Sequence, residues 1–186
     1  MNTKRIVNAN LAVAMFYVTA SVMAADPAAG KPFLHPLFTD HMVLQRDQEI
    51  SVWGHAPADT EISLRLAGHE RTVTADESGR WRTTLPPMQA GGPLQMELSA
   101  SGEVVDVLED ILVGDVWLCS GQSNMQMSVA GSMNAKEEIA AADRPRIRLF
   151  SVPWAGLRPG EPRVMHTEPQ ETVAAQWEVC SPETVG

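Results

Sequence analysis

Cysteine, basic charge and long hydrophobic runs are all scarce in this 186-residue sequence, and each shortage closes a class of explanation. Two cysteines, Cys119 and Cys180, are too few for a disulfide framework or a structural zinc site. Spacing does not say whether they pair; both lie in apolar surroundings, which favours buried free thiols. His35, His41, His55, His69 and His166 are scattered without ligand spacing, so no metal and no other cofactor is expected. The 14 Lys and Arg are outnumbered by 23 Asp and Glu, for a net charge of −9. No basic patch with interleaved aromatics offsets that sign, which excludes a phosphate backbone and makes nucleic acid a poor partner.

The longest apolar run, Leu11 to Ala24, is short of the about 20 residues a membrane span needs. Lys4 and Arg5 precede it and Val22-Met23-Ala24 follows as a cleavage-type site, so residues 1–25 read as a secretory signal peptide. A retained N-terminal anchor is the alternative. Removal leaves 12 basic against 23 acidic residues, net −11, no stable membrane span, and an exported protein, periplasmic or secreted. Hydrophobic residues at 44% and charged residues at 20% suit a globular core rather than disorder.

Residues 26–112 read as all β. Ile50 and Val52, then Ile62, Leu64 and Leu66, alternate with polar neighbours, the period of a half-buried strand. Val73 sits in a Thr-rich run; Trp81, Thr83 and Leu85 alternate again, as do Met96 and Leu98, then Val105, Val107 and Ile111. Turn chemistry separates these runs at Ala56-Pro57-Ala58-Asp59, Glu77-Ser78-Gly79, Pro86-Pro87 and Gly91-Gly92-Pro93. Short strands at such intervals predict a β-sandwich. Such a module can also bind sugar without catalysis, with Trp53 or Trp81 as a stacking platform; the alternation favours both indoles in the core.

The character changes at Val113. Val116-Trp117-Leu118-Cys119 is long enough for a buried strand, broken at Ser120-Gly121 and followed by a short polar segment able to open a helix. A strand ending in a glycine turn lifts the next small polar side chain clear of the sheet, beside unpaired amide donors. A serine hydroxyl there suits acyl transfer, which makes Ser123 the candidate nucleophile. Gly121-Gln122-Ser123-Asn124 equally reads as an ordinary turn with a helix cap. It is neither the Gly-x-Ser-x-Gly elbow, since Met125 replaces the second glycine, nor a phosphate loop, which needs a following Lys.

Asn134 to Ala142 predicts a helix with Asn134 as a possible cap, ended by Arg144-Pro145. Arg146 to Val152 alternates, with Ile147 and Leu149 on one side, and predicts a second strand. Strand, helix and strand make a βαβ unit with a parallel pair, different in class from the sandwich. Trp154 and His166 lie on the Pro- and Gly-bearing stretch 153–169, where a loop over a parallel sheet brings side chains to a ligand. A plain surface loop accounts for them as well. Ser181-Pro182-Glu183-Thr184 carries the chemistry of a helix start, with Ser181 as its cap.

Three stretches together resemble one family. Val113 to Met125 is similar to the nucleophile block of the sialate O-acetylesterases, a branch of the SGNH (GDSL-like) hydrolases. Leu37-Phe38-Thr39-Asp40-His41-Met42-Val43-Leu44-Gln45-Arg46-Asp47 with Val52-Trp53-Gly54 resembles that family's opening, and Trp177 to Thr184 a third family stretch. The likeness implies a mixed fold: an all-β sandwich over 26–112, then over 113–186 the first βαβ part of a truncated α/β domain, SGNH-like and flavodoxin-like. It implies a carbohydrate O-acetylesterase acting on O-acetylated sugar or glycan. Ser123 is then the nucleophile and gives its own backbone N–H to the oxyanion, while Gly121, Gln122 and Asn124 shape the site. The family's Asp-x-x-His pair is not found here, so the chain is expected to be an N-terminal piece with little or no activity alone.

Overall fold

A computed structural model describes residues 33–121, 123–152 and 175–185. The expected leader at 1–25 therefore lies outside the described residues, as do Gln122, Trp154 and His166. Nine strands and one α-helix are formed among those described: β1 Val43–Gln45, β2 Ile50–His55, β3 Glu61–Leu66, β4 His69–Thr74, β5 Arg80–Leu85, β6 Gly91–Ala100, β7 Glu103–Gly114, α1 Ala135–Ala140, β8 Arg144–Phe150 and β9 Trp177–Cys180. None of the described helices is long and apolar enough to cross a membrane.

The larger sheet runs β1-β7-β6-β3-β4, and β2 pairs with β5 in a second, two-stranded sheet. Period-2 alternation in the sequence becomes burial directly. Ile62, Leu64 and Leu66 face the core from β3, Trp81 and Leu85 from β5, Met96 and Leu98 from β6, and Ile50 and Val52 from β2. Leu34, Phe38 and Met42 complete the same cluster. Gly54 is required by close approach, since a Cβ there would stand 1.8 Å from the Phe33 carbonyl oxygen. Gly91-Gly92-Pro93, expected as a turn, instead starts β6.

The alternation fails once. It places Val105 and Val107 inside with Ile111, but both are exposed, and Leu108 is buried instead. The β6–β7 register explains this, passing from Met96↔Leu108 to Leu94↔Ile111, which leaves one extra residue in β7. Asp110, with φ of 53°, sits in that bulge. An inserted residue exchanges the faces of everything before it. Asp40 holds the bulge from outside, its Oδ1 accepting the Glu109 N–H at 2.7 Å, while the His41 N–H donates to the Glu109 carbonyl.

Beyond Gly114 the expected βαβ unit is not what forms. Val116–Cys119 makes no strand, and β8 pairs antiparallel with β9 rather than parallel with that segment. The physical reason is burial: Trp117 is 84% and Leu118 93% exposed, so the apolar run has no sheet neighbour to cover it among the described residues. The helix does form as α1, but Asn134 adopts a left-handed φ of 58° and makes no side-chain cap. The helix start expected at Ser181 is a turn among the described residues, with Ser181 Oγ accepting the Glu183 N–H at 3.2 Å. Cys180 is buried; Cys119, expected buried, is exposed, and the two are unbridged.

Candidate active site

The candidate nucleophile lies nine residues past the end of β7. β1 lies parallel to that strand, pairing Val43, Leu44 and Gln45 with Leu112, Val113 and Gly114. The Arg46 N–H donates to the Gly114 carbonyl at 2.9 Å. Where backbone pairing stops, side chains take over. The Val116 N–H donates to Gln45 Oε1 at 2.9 Å, and Arg46 Nε donates to Asp115 Oδ1 at 2.8 Å. That carboxylate and Asp47 raise the Arg46 pKa above its ordinary value, the hydrogen bond to Asp115 first.

From Trp117 to Gly121 the chain has no regular structure and is exposed. Ser123–Gln126 then forms a one-turn 3-10 helix that Ser123 opens, with Asn124 and Met125 exposed. Gly121 matters for the shape of this turn, because a Cβ there would stand 2.6 Å from Met125 Cγ. The structure thus places Gly121, Ser123 and Asn124 together at one surface turn. A single 3-10 turn carries little macrodipole, so any anion bound there would depend on individual amide donors.

The histidines at 35, 41, 55 and 69 all belong to the β-rich part before Gly114. His35 Nδ1 accepts the Leu37 N–H at 3.1 Å, and its ring lies 5.4 Å from Trp53. His41 Nδ1 lies 2.8 Å from Asp110 Oδ2, a spacing also seen in catalytic acid–histidine pairs. Asp110, however, also receives Arg148 Nη2, at 3.0 Å on Oδ1 and 2.9 Å on Oδ2, and the Arg148 side chain is only 4% exposed. The pair also sits about four residues, roughly 13 Å of strand, before the exit at Gly114. His41-Asp110-Arg148 therefore ties β8 to β7. Trp177 adds to the tie: its Nε1 donates to the Leu37 carbonyl and its N–H to Thr39 Oγ1.

The sugar-platform reading loses its support. Trp81 is 3% exposed, with its Nε1 donating to the Phe33 carbonyl at 2.9 Å, and Trp53 is half-buried with its ring edge-on to Phe38. Gln45, Arg46 and Asp110 are the residues that sequence reasoning passes over. Two of them stand inside the Leu37–Asp47 stretch, whose only signal in the sequence is its likeness to a family.

No family model matches the chain. The sialate O-acetylesterase of Rattus norvegicus is 35% identical over 136 residues, covering 67% of this chain and 25% of that protein. The sialate O-acetylesterase of Pongo abelii is 31% identical over 179 residues, covering 89% and 33%. Among solved structures, a carbohydrate acetylesterase from Xanthomonas citri superposes with a TM-score of 0.72 at 34% identity, over 82% of this chain and 33% of that one. The chain spans a quarter to a third of the length of the proteins it matches. Over the part they share, the chain is by sequence a homologue of the sialate O-acetylesterases, and by fold it is similar to a carbohydrate acetylesterase.

Proposed function

We propose that this chain carries the nucleophile of a serine esterase that removes O-acetyl groups from carbohydrate. The observation that carries the reading is the shared identity and fold with acetylesterases, in a chain whose candidate serine opens a one-turn 3-10 helix nine residues past the end of β7. In this reading Ser123 Oγ attacks the acetyl carbonyl as a histidine takes its proton. Backbone N–H groups, that of Ser123 among them, receive the charge on the tetrahedral oxygen, worth about 3 kcal/mol for one such donor. The sugar alkoxide leaves with the proton, and water then attacks the acetyl-enzyme to release acetate.

The same reading assigns 26–112 to a supporting β-sandwich domain and 113–186 to part of an α/β domain of the SGNH type. It keeps Gly121, Gln122 and Asn124 as the residues that shape the turn, and Trp154 and His166 as candidates for substrate contact. The leader-like residues 1–25 support export to the periplasm or beyond. The test is acetate release from O-acetylated sialic acid and from acetylated xylan, using the longest natural polypeptide that carries these residues. Ser123→Ala is expected to lower turnover at least about a thousandfold. Turnover unchanged by that substitution would overturn the assignment.

A further inference from the structure

The side-chain contacts beyond the last paired residues of β1 and β7 lie outside the sheet's backbone ladder. Pairing ends at Gln45↔Gly114 and the Arg46 N–H bond to Gly114, yet two more residues of the departing chain are held. Gln45 Oε1 takes the amide of Val116 and Arg46 Nε takes the carboxylate of Asp115, at 2.9 and 2.8 Å. Both are side-chain contacts to a segment that has left the sheet. The residue that follows Arg46 is itself tied down. Asp47 donates its N–H to the Met88 carbonyl at 2.9 Å, and Gln89 Nε2 donates to Asp47 Oδ1 at 2.7 Å. Met88 belongs to the hydrophobic core, so a continuous path runs from core to Arg46 to Asp115.

We propose that Gln45 and Arg46 are positioning residues for Ser123, fixing the point and direction in which the chain leaves the sheet toward the nucleophile turn. This rests on the esterase assignment of Ser123. The physical need arises in the segment beyond Val116. Trp117 to Gly121 has no ladder or helix of its own, so freedom at its root is passed on to the turn. An attacking oxygen must sit within a few tenths of an ångström of its productive position, and a looser root spends less time there. The pair touches no substrate in this scheme and acts only through residues 115 and 116.

The test compares Gln45→Met, which keeps length and removes the acceptor, with Gln45→Glu, which keeps an acceptor oxygen; Arg46→Met removes the second grip. Gln45→Met and Arg46→Met are each expected to lower kcat for acetyl-ester hydrolysis about tenfold with KM within about twofold, while Gln45→Glu stays within about threefold of wild type. Amide exchange at Val116 should speed up about tenfold in Gln45→Met and not in Gln45→Glu. Unchanged Val116 exchange in Gln45→Met overturns the grip. Faster exchange with undiminished kcat overturns the positioning role. With every variant made in the longest natural polypeptide that carries these residues, wild type without turnover overturns the esterase reading itself, whereas the exchange measurement still decides whether Gln45 holds the root of the segment.

Discussion

The chain holds two regions of opposite character on either side of Gly114. Before it, alternating strands bury Ile62, Leu64, Leu66, Met96, Leu98, Ile111 and their neighbours in one cluster. After it, Val116, Trp117, Leu118, Met125, Met127, Met133, Ile147 and Val152 stand exposed among the described residues, and α1 buries none of its side chains. Apolar content is similar in kind; what differs is whether a partner surface is present among the described residues. The first region covers its own apolar faces, as β2 and β5 pair across six residues and add Ile50, Val52, Trp81 and Leu85 to the same buried cluster as the larger sheet. The second is held by a few polar ties, Gln45 to Val116, Arg46 to Asp115 and Arg148 to Asp110, with Trp177 packed half-buried against the core.

The sharpest way to break this contrast is to remove volume on each side. Leu64, fully buried at 0% exposure, is expected to cost about 3 kcal/mol when replaced by alanine, whereas Ile147→Ala, at a residue 51% exposed, should stay within about 0.5 kcal/mol. Urea denaturation of both variants measures the difference, and comparable losses would mean that the second region has a core of its own. The tie between the regions comes next. Asp110→Asn keeps a residue that tolerates the left-handed φ of 53° but removes the charge facing buried Arg148. It is expected to cost about 1–2 kcal/mol, less than loss of a fully buried pair because Asp110 is one-third exposed. A denaturation midpoint equal to wild type would show that the β8–β9 pair is held by Trp177 instead.

The smallest effect belongs to the first region alone and depends on pH. Asp76 Oδ1 accepts the Ser78 hydroxyl at 2.6 Å, the Ser78 N–H at 2.8 Å and the Arg80 N–H at 3.0 Å. The Ser78 hydroxyl first, then the Arg80 amide, hold its pKa below the ordinary carboxylate value. A depressed folded-state pKa gives stability that is present above the unfolded value and lost as pH falls through the folded one. Thermal melting of wild type against Asp76→Asn should therefore differ slightly at neutral pH, with the difference shrinking below about pH 4. A gap that widens on acidification would reverse the sign and refute the assignment.

Much of the β-rich region was legible because a strand's side-chain period of two is written directly in the residue order. Ile62-Ser63-Leu64-Arg65-Leu66 needs no knowledge of its neighbours to announce which side faces in. The bulge at Asp110 was not legible in that way, since an extra residue is defined only against β6 opposite. Nor was the fate of Val116–Cys119. Four apolar residues in a row are compatible with a buried strand, but a strand needs a ladder partner and a covering layer, neither of which a short window encodes. The candidate nucleophile was legible as a residue type after a glycine and as part of a resemblance. Its supports in Gln45 and Arg46 stand more than seventy residues earlier in the chain.

By itself, then, the sequence determined most strands of the β-rich region with most of their inward faces, the acidic net charge and the candidacy of Ser123, because these depend on composition and on local periodicity. Only the tertiary structure decided that β1 runs parallel beside β7, that a bulge turns Val105 and Val107 outward, and that Gln45 and Arg46 reach the root of the Ser123 segment. Those facts are distances between residues far apart along the chain. They come into being only when the core formed by the local pattern brings the strands side by side.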